Sequence, residues 1–96
     1  MAKAKVAEKV NGLARYIGQC VCIRTVTYHY TGKVASVDGG FVRLATAAWV
    51  ADSGRWHQAL KDGSWSEVEP YPEDVLVAIP AIVDVTQIRE APTVQK

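Results

Sequence analysis

The stretch that decides the fold is residues 30–44, which read Tyr-Thr-Gly-Lys-Val-Ala-Ser-Val-Asp-Gly-Gly-Phe-Val-Arg-Leu. At its centre, Asp38-Gly39-Gly40 is a strong hairpin signal, because glycine adopts a positive φ at little cost. The pattern predicts, in chain order, a turn at residues 31–33, a short strand over 33–37, the hairpin, and a strand over 41–44 that residues 45–50 either continue or bend away from.

Outside this stretch, three more runs are rich in β-branched and aromatic residues and predict strands over residues 19–30, 75–79 and 81–88. Pro80 marks an edge, a bulge or a junction between the last two. The apolar residues of 19–30 change face midway, which is typical of a strongly bent barrel strand.

The rest of the chain frames these strands. Apolar side chains at helical spacing predict an amphipathic helix over residues 3–17. Residues 52–74 break the strand pattern with an acidic, proline-bearing stretch, and a connection this long is typical of a functional loop or an interaction arm. We therefore predict a single mainly β domain over residues 1–90, with an insertion arm at 52–74 and a mobile tail at 91–96. Its core is an antiparallel, strongly bent barrel of five strands after the helix.

Residues 30–44 resemble the first signature of the Sm-like family: a glycine after a strand, alternating apolar residues, an aspartate at the hairpin and another apolar strand. Residues 77–85, Val-Ala-Ile-Pro-Ala-Ile-Val-Asp-Val, resemble the second signature, two short strands that meet at a sharp joint. The resemblance implies an Sm-like (SH3-type) small barrel whose edge strands join copies around a ring.

The chain departs from the family pattern at two positions. Val42 replaces the family's base-binding Asn, and Pro80-Ala81 replaces its Arg-Gly joint. Since the resemblance assigns base recognition to these positions, the departures argue against ordinary uridine binding. Residues 23–32 are also similar to small proteins carried by tailed phages and their bacterial hosts.

The net charge of +1 hides an asymmetry: residues 1–51 carry seven basic and two acidic side chains, and residues 52–96 carry four basic and eight acidic ones. Two such halves are either ordinary solvated faces or surfaces that pair head to tail between copies. A strongly electrostatic nucleic-acid binder is disfavoured, because such domains are basic overall.

The chemistry-bearing residues form no recognised catalytic set. Cys20, Cys22, His29 and His57 supply ligand types that zinc uses, but a Cys-x-Cys pair on a strand lacks the usual spacing and the histidines lie far apart. We therefore predict no catalytic residues, no metal site and no cofactor, and a protein that is not an enzyme. A small enzyme is the least favoured alternative.

Two sets of residues are candidates for binding. Tryptophan is enriched at the energetically important positions of protein interfaces. An edge strand of a bent sheet has unpaired backbone groups that can pair with another chain. The candidate interface with other copies or a partner consists of Trp49, Trp56, Trp65, Tyr71, Val77 and Ile79. The candidate nucleic-acid face, a stacking surface on the first strands, consists of Arg24, Tyr28, Tyr30 and Lys33. The alternative to an interface is that the tryptophans fill the end of the barrel or cover a loop. The alternative to a nucleic-acid face is that its residues are ordinary side chains of a half-exposed strand.

These observations favour a non-enzymatic structural protein that assembles as a homo-oligomer. Its expected partners are copies of itself and other virion proteins, in the head, neck or tail of a phage, with no membrane partner. Synthesis in the cytoplasm is expected, since no signal peptide or apolar span of about 20 residues is evident. The alternative is an Sm-like ring that binds single-stranded RNA or DNA through a non-standard face.

Overall fold

The computed structural model describes residues 12–96. The predicted mainly β, bent antiparallel fold is confirmed, with six strands in place of five. The strands are β1 (Cys20–Thr25), β2 (His29–Asp38), β3 (Phe41–Asp52), β4 (Glu67–Pro70), β5 (Val75–Ala78) and β6 (Ile82–Gln87). The helical elements of 52–96 are α1 (Trp56–Asp62) and a 3-10 turn (Ile79–Ala81).

The long strand β3 organises the sheet. The strands follow the order β4-β3-β2-β1-β6, and β5 pairs with β3 as well. The first half of β3 pairs with β5, from Phe41 opposite Ala78 to Leu44 opposite Val75, whereas the second half pairs with β4. One edge of β3 thus pairs with two strands in succession while its other edge pairs with β2, and the 3-10 turn then carries the chain from β5 to β6 beside β1.

The strand predicted over residues 19–30 is wrong in its middle. The chain turns after Thr25, whose hydroxyl accepts the backbone N–H of Tyr28 at 2.9 Å and donates to its carbonyl at 2.7 Å. The predicted turn at residues 31–33 is also wrong, because these residues lie inside β2. The apolar residues change face because a second strand, β2, begins after this turn, and not because one strand bends.

Two apolar cores lie on opposite faces of the sheet. The inner core fills the curl of the barrel with Leu13, Val21, Ile23, Val34, Val42, Leu44, Ala47, Val77 and Ile79. The outer core lies between the sheet and α1 and contains Cys22, Ala48, Val50, Ala59, Trp65, Val68 and Ile88. Adjacent residues of β1, Val21, Cys22 and Ile23, are all buried because both faces of that strand are covered.

The segment 52–74, expected as an arm, contributes to this outer core. It contains α1 and β4, and α1 ends at Gly63, which has the left-handed φ of 72° of a helix C-cap. Ala59, Trp65 and Val68 point their side chains into the chain's own interior. The sixth strand of the sheet is therefore β4, which sequence periodicity missed because its residues, Glu-Val-Glu-Pro, include a single apolar strand former, whereas the equally short β5 reads Val-Leu-Val-Ala.

Both terminal segments of the described residues contact the sheet. Of the helix predicted over 3–17, residues 12–14 are helical and Leu13 packs in the inner core, but 15–17 are not, because the chain turns and Ile17 forms a bridge with Val34 of β2. Residues 3–11 lie outside the described residues. At the other end, the backbone of Lys96 pairs with that of Val68 at 3.0 and 3.2 Å. The mobility of residues 91–96 stays a prediction. No helix within 12–96 is long and apolar enough to cross a bilayer.

Candidate nucleic-acid and assembly surfaces

The two signature segments meet at one end of the barrel. The backbone N–H of Ile79, in the 3-10 turn, donates to the carbonyl of Gly40 in the β2–β3 hairpin at 2.9 Å. Next to this bond, Phe41 pairs with Ala78, and its side chain is 44% exposed. The hairpin and the joint thus form one continuous surface with an accessible aromatic ring, which we call the hairpin–joint surface (residues 38–41 and 79–81).

This surface lacks the polar side chains that the Sm-like resemblance assigns to base recognition. Val42 is completely buried and faces Val77 in the inner core. Pro80 and Ala81 offer no side-chain hydrogen-bond donor. Arg43 is an exposed cation two residues beyond Phe41 on the same face of β3, and its guanidinium lies 3.9 Å from the Asp74 carboxylate. Stacking on Phe41 is therefore the contact that this surface can make with a base.

Two strand edges remain open within the described part of the chain, whereas the outer side of the third terminal strand, β4, pairs at Val68 with Lys96. β5 pairs only with β3 and β6 pairs only with β1, so each has a free side. Each strand also exposes a large apolar side chain, Leu76 at 51% on β5 and Val83 at 60% on β6. Open edges with exposed apolar residues are suited to strand addition by another polypeptide.

An aromatic cluster, formed by Tyr28, Tyr30, Trp49 and Tyr71, lies on the inward-facing side of the sheet beyond the inner core. The ring of Tyr28 stands nearly perpendicular to those of Tyr30 and Trp49, with centroids 6.5 and 6.1 Å apart. Tyr30 lies 6.3 Å from Tyr71. Partial burial, followed by the neighbouring Tyr71 and Tyr28, raises the pKa of Tyr30 above its usual value. Tyr28 and Tyr71 remain exposed.

Arg24 belongs to the opposite face of the sheet. Its Nε donates to both carboxylate oxygens of Asp84 at 2.9 Å, its Nη2 contacts the same carboxylate, and its guanidinium lies 5.5 Å from the centre of the Trp56 ring. His29 packs against the same tryptophan at 5.6 Å. The hydrogen bonds and charge of Arg24 hold the pKa of Asp84 below its usual range. The contacts of Arg24 with Asp84 and Trp56 thus link β1 to β6 and to α1.

The predicted nucleic-acid face is therefore divided between two sides of the molecule. Tyr28 and Tyr30 belong to the aromatic cluster, while Arg24 is occupied by Asp84 and Trp56 on the other face. Lys33 is exposed and lies opposite Cys20 of β1, away from the cluster. Side chains alternate between the two faces along β2, so Tyr30 and Lys33, which are three residues apart, lie on opposite faces.

The predicted partner interface is also divided. Trp65, Val77 and Ile79 are buried within the chain's own cores and offer no surface to a partner. Trp49 and Trp56 are half-buried, and Tyr71 is exposed. Sequence reasoning missed Phe41, Leu76 and Val83 as surface residues, although the alternation of apolar residues within β3 and β5 could have placed Phe41 and Leu76 outward.

The cysteines lie on the face covered by α1. Cys22 is buried in the outer core, and burial, with the charge of Asp84 next, raises the pKa of its thiol to about 12. Its thiol is therefore protonated near neutral pH, and a thiol is a poor nucleophile. Cys22 is thus a packing residue.

A first prediction concerns acid stability. Because the pKa of Asp84 is lowered in the folded state, its contribution is present above about pH 3.9, the usual value, and is lost as the pH falls through the folded-state pKa. We expect Asp84→Asn to flatten the dependence of the urea midpoint on pH below about 4. Since the carboxylate is 40% exposed, the loss near neutral pH is at most about 1 kcal/mol. The matched control is Asp62→Asn on α1, and an unchanged acid dependence in Asp84→Asn would contradict the prediction.

Comparison with known proteins places this geometry in context. No protein-family model matches the chain, and no curated protein matches it. A heptameric archaeal Sm protein matches 81% of this chain and 97% of its own length, with a TM-score of 0.59 and 15% identity. The SmAP1 heptamer of P. aerophilum matches 83% of this chain and 92% of its own, with a TM-score of 0.60 and 15% identity.

A third structure, the Sm protein of Pyrococcus abyssii in complex with a uridine heptamer, matches 81% of this chain and 94% of its own, with a TM-score of 0.56 and 14% identity. At such low identity, these likenesses concern the architecture: a bent antiparallel sheet in which the hairpin meets a sharp joint. The fold of this chain is therefore the Sm-like fold.

Proposed function

We propose that this chain is a non-enzymatic Sm-like protein that assembles into a homo-oligomeric ring and binds single-stranded RNA. The observation that carries the proposal is the contact between Gly40 and Ile79, which places the exposed ring of Phe41 on the hairpin–joint surface. It is supported by the likeness to an Sm protein in complex with a uridine heptamer. The binding face is non-standard, because stacking replaces the family's polar contacts.

Placing RNA binding first reverses the ranking of functions that the sequence predicted. The sequence favoured a structural protein of a phage virion and ranked nucleic-acid binding second. Two of the solved structures to which the chain is similar are heptameric Sm proteins, and a third is an Sm protein in complex with a uridine heptamer. They give no support to virion partners, so the alternative becomes the leading function and the virion role stays a prediction.

Assembly follows from the two open edges. The free side of β5 can accept the free side of β6 from a second copy, and each addition leaves a new pair of open edges at the ends. Such head-to-tail contacts close into a ring when the rotation between copies permits. Pairing would also bury Leu76 and Val83, and removing apolar surface from water stabilises the contact.

Binding without base-specific hydrogen bonds has a consequence for selectivity. A ring of phenylalanine stacks on any base, because every base has a π-face. With Val42 and Pro80 at the two departing positions, no side-chain amide or guanidinium reads the base edge there. We therefore expect RNA binding with little preference for uridine.

The assembly prediction uses substitutions at both edges. Leu76→Lys and Val83→Lys place charges on strands that would be covered between copies, so we expect the combined variant to shift from oligomer to monomer in native mass spectrometry. Val26→Lys, in the exposed β1–β2 turn, is the control and should remain oligomeric. A strictly monomeric unmodified chain at high concentration would end the ring proposal.

The RNA prediction uses the exposed ring. Phe41→Ala removes one stacking surface per subunit, and we expect the affinity for a single-stranded RNA oligomer, measured by fluorescence anisotropy, to fall about tenfold. Uridine and adenosine oligomers should bind the unmodified chain with similar affinity. Val94→Ala, an exposed apolar residue of the tail, is the control. If Tyr28→Ala weakens RNA binding and Phe41→Ala does not, the hairpin–joint surface is the wrong site.

A further inference from the structure

The aromatic cluster remains without a role in the proposed RNA site. Its four rings form one contiguous surface across the β1–β2 turn, β2, β3 and the residue that follows β4. Tyr28 and Tyr71 at its ends are exposed, and Tyr30 and Trp49 between them are half-buried. The rings pack edge to face or tilted against one another, so they present a broad surface to solvent rather than a closed cage.

The charge beside this surface is negative. Residues 67–74 contain four carboxylates and no basic residue. Glu69 is the cross-strand partner of Trp49, so its side chain lies on the same face of the sheet. The basic candidates Arg24 and Lys33 belong to the other face. A negative border repels phosphate groups and attracts cations, which makes this surface unsuited to nucleic acid.

The molecule already shows how such a combination holds a guanidinium. On the opposite face, Arg24 lies over the Trp56 ring at 5.5 Å while its nitrogens donate to the Asp84 carboxylate. Trp49 and Glu69 bring together the same two kinds of group, an indole ring and a carboxylate, but place them on the neighbouring strands β3 and β4, whereas Trp56 lies on α1 and Asp84 on β6. The second pair holds no guanidinium: among the described residues no arginine lies over the Trp49 ring, and the Glu69 carboxylate accepts a hydrogen bond from the neutral Gln95 amide at 3.1 Å.

We infer that the aromatic cluster, with Glu69, is a docking surface for an extended, arginine-bearing peptide segment of a partner protein. The planar guanidinium stacks on aromatic faces and pairs with carboxylates through two parallel hydrogen bonds, so arginine fits better than lysine. The exposed rings of Tyr28 and Tyr71 lie at the two ends of the cluster, and an extended chain can reach such separated positions with alternate side chains. This inference is independent of RNA binding at the hairpin–joint surface.

The test uses a defined probe, a fluorescein-labelled peptide Arg-Pro-Arg-Pro-Arg-Pro, and its lysine and glutamate counterparts. Fluorescence anisotropy should show binding of the arginine peptide, weaker binding of the lysine peptide and none of the glutamate peptide. Tyr71→Ala and Glu69→Gln should each weaken binding about fivefold. Glu90→Gln removes an exposed carboxylate elsewhere and serves as the matched control. Circular dichroism confirms that each variant is folded.

Three results would overturn the inference. The first is equal affinity for the arginine and glutamate peptides, and the second is arginine-peptide binding that Tyr71→Ala and Glu69→Gln leave unchanged. The third is protection of Tyr28 and Tyr71 by a second copy of this chain, seen as nuclear magnetic resonance shifts of these residues on self-association. Phe41→Ala separates the two proposals, since it should weaken RNA binding and leave peptide binding intact.

Discussion

Replacing Trp65 by alanine is expected to lower the free energy of unfolding by about 3–5 kcal/mol. The side chain is only 3% exposed and fills the outer core between α1 and the sheet, against residues such as Cys22, Ala59 and Val68. Truncation would leave a cavity that the short helix cannot fill. A chain of this size has a total stability of roughly 5–15 kcal/mol, so the loss is a large share of it. Urea unfolding followed by circular dichroism measures the change.

The controls separate packing from other effects of a tryptophan. Trp65→Phe keeps an aromatic ring and removes the indole N–H, which has no hydrogen-bond partner among the described residues, so its cost should be smaller. Trp49→Ala removes a half-buried ring from the aromatic cluster and should also cost less. A loss below about 1 kcal/mol for Trp65→Ala would mean that residues 52–74 form a loosely attached arm.

The second large effect is expected at Gly32. A side chain there would meet Leu44 Cβ at 3.0 Å, the carbonyl oxygen of Ala45 at 3.2 Å and Ala47 Cα at 3.3 Å. Two of these contacts are with backbone atoms of β3, so the crowding can be relieved only if the backbone of β3 shifts. We expect Gly32→Val to cost about 3 kcal/mol through overpacking of the inner core, which lowers the melting temperature by more than about 10 °C.

A matched substitution tests whether crowding causes this effect. At Gly12, no atom of residues 12–96 lies within 4 Å of the position that a Cβ would occupy, so Gly12→Ala should leave the melting temperature unchanged or raise it slightly. Gly32→Ala places a smaller group at the crowded position and should fall between the two. If Gly32→Val melts at the temperature of the unmodified chain, β2 and β3 do not approach each other as closely as the structure shows.

The hairpin and the proline joint could be predicted because their signals are local. Asp38-Gly39-Gly40 forms a hairpin wherever two strands flank it, and Gly39 and Gly40 have the positive φ values of 56° and 84° that the pattern requires. Pro80 lacks a backbone N–H, so it cannot lie inside a ladder, and it occupies the 3-10 turn between β5 and β6. These two features were sufficient to suggest the Sm-like fold.

The candidate site was predicted less well, because the face on which a residue lies depends on where each strand begins. A turn closed by the hydroxyl of Thr25 separates β1 from β2, and this break moves Arg24 and Tyr30 to opposite faces. Trp65 looked like an interface residue because tryptophan is common at interfaces, yet it is buried against α1. The exposure of Phe41, in contrast, follows from the alternation within β3, in which Val42 and Leu44 are buried, and could have been predicted from the sequence.

The sequence by itself thus determined the elements whose causes lie within a few residues: the hairpin, the joint, and the alternation that makes a bent antiparallel sheet. Only the tertiary structure decided that a second core forms on the outer face, that β3 is shared between β4 and β5, and that the hairpin meets the joint at Gly40 and Ile79. These features depend on contacts between residues distant in the chain, whose free energy appears only when both partners are in place.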